Sequence, residues 1–164
     1  QLLERLAALR EGKVLIGDLK QDEARSLAAE AFAALTDELT RKELVRELLG
    51  GDVLHRSAGA RIIERFGGTS DADLLLALAG EANETVRNPA LAGLAAVAAA
   101  GHASAPVLTL LGWHLQWGGK RGASAIASRL PRTSTSPAIS ELLKAAARHP
   151  SARVRSAARS DARR

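Results

Sequence analysis

An arginine followed by a small or helix-starting residue recurs along this chain at Arg25, Arg56, Arg87, Arg121 and Arg155, with spacings of 31, 31, 34 and 34 residues. A period of that length marks a chain assembled from copies of one supersecondary unit, each too small to bury its apolar stripe without a neighbour. A leucine stands 12 or 13 residues ahead of the arginine in four copies: Leu44, Leu74 with Leu75, Leu108, and Leu142 with Leu143. The first copy lacks it and reads as either degenerate or a cap. Composition says what the unit is made of. The chain holds 34 Ala and 26 Leu, the residues most at home in helix, against 7 Val and 5 Ile. The expectation is therefore all-α, with two helices to each repeat.

The punctuation agrees. Thr40-Arg41-Lys42-Glu43 has the spacing of a capping box, Gly50-Gly51 stops that helix, and Ser70-Asp71-Ala72-Asp73 opens the next, which ends at Gly80. Ser104-Ala105-Pro106 and Ser136-Pro137 put proline in a first turn, where its missing N–H costs nothing, and His149-Pro150 closes the helix begun at Pro137. The spacing predicts first helices over 1–11, 37–49, 71–80, 105–117 and 137–149. It predicts second helices over 21–35, 53–66, 85–100, 119–130 and 151–164, with an irregular connector over 13–19.

Two stretches carry a resemblance. Glu84-Thr85-Val86-Arg87-Asn88-Pro89-Ala90-Leu91 and His149-Pro150-Ser151-Ala152-Arg153-Val154-Arg155-Ser156-Ala157-Ala158 each open a second helix with Val-Arg and follow it with Ala. His55-Arg56 and Lys120-Arg121 stand at the matching places of two other copies. The pattern resembles HEAT-like repeats, and the second stretch is also similar to the leucine-rich-repeat variant. That resemblance implies a right-handed α-solenoid of about five antiparallel helix pairs, one repeat domain over 1–164. It implies a concave face lined by second helices and a binding or scaffold role toward a protein partner; the sequence itself shows no catalytic motif, and no catalytic residue or cofactor is expected. It also implies two alternatives: binding of nucleic acid, and, third, a repeat-based DNA glycosylase pairing an acid with aromatics. The acids nearest in sequence to the tryptophans, Glu84 and Glu141, lie on other repeats.

Charge narrows where an acidic partner would sit. The net +5 is the sum of −4 over residues 1–119 and +9 over 120–164, so nucleic acid is expected, if anywhere, on 120–164. Arg-rich, Ala-rich composition is also what a GC-rich bacterial genome produces. The chain has no Cys, which excludes disulfides and thiolate metal sites, and its four His have no metal-ligand spacing. The longest stretch without charge, Asn88 to Gly119, is broken by Pro89, His102, Ser104, Pro106, His114 and Gln116, so no membrane span is expected. No signal peptide is visible and the expected compartment is the cytoplasm. The chain has no Met either, so it is expected to start after a processing boundary or inside a longer protein.

Four features compete for a functional role. The arginine ladder could hold phosphates or an acidic strip, or could bond the carbonyls of the preceding turn and neighbours such as Asp52, Glu81 and Glu84. The basic end, with Arg129, Arg153, Arg155 and Arg159, could bind an acidic partner or form a solvated helix face. Trp113 and Trp117, one turn apart and the chain's two tryptophans, suit an interface hot spot or a gap in an Ala-rich core. The uncharged helix Pro89 to Ala100 is either buried all round or an Ala-lined groove floor. The candidate partner-binding residues are Arg87, Arg121, Arg129, Arg153, Arg155, Arg159, Trp113 and Trp117.

Overall fold

The computed structural model describes residues 29–34, 36–131 and 134–159. Arg25, the connector over 13–19, the helix expected over 1–11 and residues 21–28 of the helix expected over 21–35 lie outside the described residues, as do Arg132, Arg163 and Arg164. Residues 29–34 are helical. The helices that follow are α1 (Glu38–Leu49), α2 (Val53–Phe66), α3 (Ala72–Ala79, entered through a 3-10 turn at Thr69–Asp71), α4 (Glu84–Ala99), α5 (Ala105–Trp117), α6 (Lys120–Ala127), α7 (Pro137–Arg148) and α8 (Ala152–Arg159). There is no strand among the described residues.

The helix ends follow local chemistry. Asp37 caps α1, its carboxylate accepting from the Thr40 amide at 3.0 Å and the Thr40 hydroxyl at 2.9 Å. The capping box expected at Thr40 is thus displaced: Thr40 lies inside the first turn, because an aspartate three residues earlier satisfies the same orphan amides. Asp52 caps α2 and Asn83 caps α4 in the same manner. Pro106 and Pro137 stand in the first turns of α5 and α7, as their spacing requires. Helix α6 ends at Ala127, short of the 130 expected, where the Ser128 hydroxyl bonds the Ala125 carbonyl at 2.8 Å.

Packing is local and ordered. Each odd-numbered helix rests on the even-numbered helix that follows it, and α2, α4, α6 and α8 pack in series, each on the next. The buried apolar side chains form one cluster running from Ala33 to Val154. Helix α4 lies in its middle against α2, α3, α5 and α6, with Val86, Ala90, Leu91, Leu94 and Ala95 wholly buried. Of the two expectations for the uncharged helix, burial is the one observed; only Ala99 and Ala100 at its end are exposed. Gly93 serves this packing, since a Cβ there would sit 3.0 Å from both δ-methyls of Leu75 on α3.

One joint crosses the stack. Pro89 stands inside α4 and offers no N–H to the Thr85 carbonyl four residues earlier. The buried Ser57 hydroxyl of α2 donates to that carbonyl at 2.9 Å. A second link strides over α4: Arg129, just past α6, pairs with Glu64 of α2.

Candidate functional site

The repeated arginine is built into the turns. Arg56, Arg87 and Arg155 each occupy the fourth position of their helix. Arg87 donates to the carbonyls of Glu81 at 3.0 Å and Ala82 at 2.8 Å. Arg155 donates to those of His149 at 2.8 Å and Pro150 at 2.6 Å. Arg56 donates to Gly51 at 2.9 Å and sets its Nε 3.2 Å from the Glu81 carboxylate. In each case the fork reaches back five or six residues into the turn before its helix, where carbonyls lack helical partners.

Arg121 does not share this register. It is the second residue of α6, 71% exposed, and lies 3.6 Å from Glu84, which also approaches Arg87 at 3.7 Å. The fourth position of α6 is Ala123, preceded by Gly122, whose missing Cβ would meet Asn88 and Leu91 of α4 at 3.2 and 3.3 Å. The turn there is reduced to Gly118-Gly119, and Gly118 is required because a Cβ would fall 2.5 Å from the His114 carbonyl. Close helix contact and a short turn leave neither room nor need for the arginine clamp.

The other cations differ in availability. Arg129 is held by Glu64. Arg153 and Arg159 are exposed on α8. On the opposite layer, Trp113 is 53% exposed and Trp117 73% exposed, so neither fills a gap in the core. Trp113 stands edge-on to His114, ring centroids 4.9 Å apart. His114 is the buried member of this pair; its burial holds the imidazole below its ordinary pKa, and the Arg87 charge pushes the same way.

Trp117 borders a groove of about 610 Å3 between α5 and α7. Leu108, Gly112 and Leu115 of α5 and Leu142 and Ala145 of α7 form its apolar floor. Glu141, Lys144 and Arg148 line it from α7, and His149-Pro150 closes one end. Lys144 bonds Glu141 at 2.7 Å, which holds that carboxyl below the usual carboxylate range. His149 is buried and accepts the Ser151 amide on Nδ1 at 3.0 Å, so this imidazole finishes the turn into α8.

The structure therefore divides the candidate residues. Arg87 on α4, Arg121 on α6, Arg129 just past α6 and Arg155 on α8 are engaged; Arg153 and Arg159 are exposed on α8; the tryptophans stand on α5. Sequence spacing missed that Trp117 faces α7 together with Lys144 and Arg148. No group of three His, Cys, Asp or Glu side chains among the described residues is placed to hold a metal ion. No described helix is long and apolar enough to cross a membrane. Compared with protein families, curated proteins and solved structures, the chain matches none.

Proposed function

We propose that this chain is a binding module: a HEAT-like α-solenoid of antiparallel helix pairs that recognises a protein partner and carries out no chemistry. The observation that carries the reading is the exposure of Trp117 beside an apolar groove, in a chain with four aromatic residues in all. A tryptophan left in water at a groove rim offers large contact area at low entropy cost, which is the usual make-up of a hot spot. In this reading the repeated arginines hold the repeats together, and the contacts shift from the concave face expected on the second helices to the α5–α7 side.

The test is selection of displayed peptides on the immobilised chain, with Trp117→Ala as the counter-target. Recovered peptides should bind the wild type and lose about thirtyfold or more on Trp117→Ala, the scale of one hot spot. Equal binding to both forms would remove the groove from the function. The nucleic-acid alternative draws on the exposed Arg153 and Arg159. It requires duplex binding at low salt that falls steeply as salt rises and weakens in an Arg153→Ala/Arg159→Ala variant. The glycosylase alternative draws on Glu141 and Trp117 lining one groove. Against it, Glu141 is a solvated carboxylate already tied to Lys144, an arrangement typical of a surface ion pair.

A further inference from the structure

We infer that the occupant of the α5–α7 groove is an acidic amphipathic peptide helix, its apolar side chains laid on the groove floor and a carboxylate on Arg148. This rests on the binding-module reading and names the chemistry of the partner. Three observations carry it.

The first is length. Helix α7 has 12 residues, so the groove beside it runs about 18 Å, enough for roughly three turns of a partner helix. A floor of leucine, alanine and glycine between two helices takes the apolar face of a third, the mode by which amphipathic helices seat in grooves.

The second is charge. The α5 wall contributes Thr109, Gln116 and Trp117 and no ionised group. On α7, Glu141 bonds Lys144 at 2.7 Å and also feels the charge of Arg148, so one carboxylate faces two cations and the groove lining keeps a net positive charge. Glu141 is the sole carboxylate that lines the groove, against the two cations Lys144 and Arg148. An acidic segment is drawn to this rim and a basic one is repelled.

The third separates peptide from nucleic acid. A single strand needs aromatic platforms for successive bases and cations along its backbone. This groove has one indole, and its α5 wall has no cation.

The experiment reads Trp117 fluorescence in a Trp113→Phe background, where Trp117 is the single tryptophan. Trp113 does not line the groove, and circular dichroism checks that the variant folds. Three probes are titrated: a 14-residue Leu/Glu amphipathic peptide, the same peptide with Lys for Glu, and a ten-nucleotide oligothymidylate. The expected result is a saturable blue shift with the Leu/Glu peptide alone, weakened roughly tenfold by Arg148→Glu, while Arg148→Lys retains most of the affinity. Equal binding of the Lys peptide would overturn the acidic assignment and leave the protein-binding reading intact. A response to oligothymidylate without one to either peptide would overturn both in favour of nucleic acid. No response to any probe overturns the inference, and the displayed-peptide selection then decides separately whether the binding reading survives.

Discussion

Ser57 and Pro89 form a pair that neither residue predicts alone. Proline inside a helix strands a carbonyl, and the Ser57 hydroxyl, itself buried, costs about 1–3 kcal/mol if left without a partner. Here the stranded group is on Thr85, and the hydroxyl that answers it comes from the neighbouring even-numbered helix. Ser57→Ala should therefore lower stability by about 1–2 kcal/mol in urea unfolding. In a Pro89→Ala background, where the restored backbone N–H can close the helical bond, the same change should cost less than half as much, and additive effects would refute the pairing. His114 gives a second check. Its folded pKa is depressed by burial, so the unfolded chain binds the extra proton first. Stability should be fully present above about 6.5 and decline as pH falls below it. His114→Gln should flatten that part of the profile in thermal melts recorded from pH 8 to 5. None of this was legible in the sequence, because the partners in each contact come from different helices and their facing depends on how those helices pack.

The helices themselves were largely legible. Spans expected over 53–66 and 105–117 coincide with α2 and α5, and α1, α4 and α7 differ by a residue at one or both ends, since Gly, Pro and Asx residues mark those ends by local physics. Register was harder to read. Arg121 has the right spacing and the wrong position, because loop lengths differ between copies: equal distances along the chain do not guarantee equal places on a helix. The clamp also makes a prediction. Arg87→Lys keeps the charge but loses the fork that spans two carbonyls, and should cost about 1–2 kcal/mol in chemical denaturation. Arg153→Lys, on an exposed position, should stay within about 0.5 kcal/mol. If the two variants behave alike, the clamp does not stabilise the turn.

Because each even-numbered helix packs on the next, damage should spread by adjacency. Leu91→Ala empties a wholly buried site in α4, which touches four other helices, and should raise amide exchange throughout α2 to α6. Val154→Ala, in α8, should raise it in α6 to α8 and leave α1 and α2 unchanged. Hydrogen exchange read by mass spectrometry separates these outcomes, and equal exposure everywhere would mean that the whole unfolds as one cooperative block. The groove belongs to this level too: α5 and α7 are in contact although α6 lies between them in the chain, so sequence spacing could flag Trp117 but not the surface that it borders. The Glu64–Arg129 link ties helices on either side of α4, with 19% and 45% of the two side chains in water, so dissolved ions can loosen it. Its loss costs little, because the packing of α4 against α2 and α6 does not depend on salt: urea unfolding should show stability falling by no more than about 1 kcal/mol between low and high ionic strength.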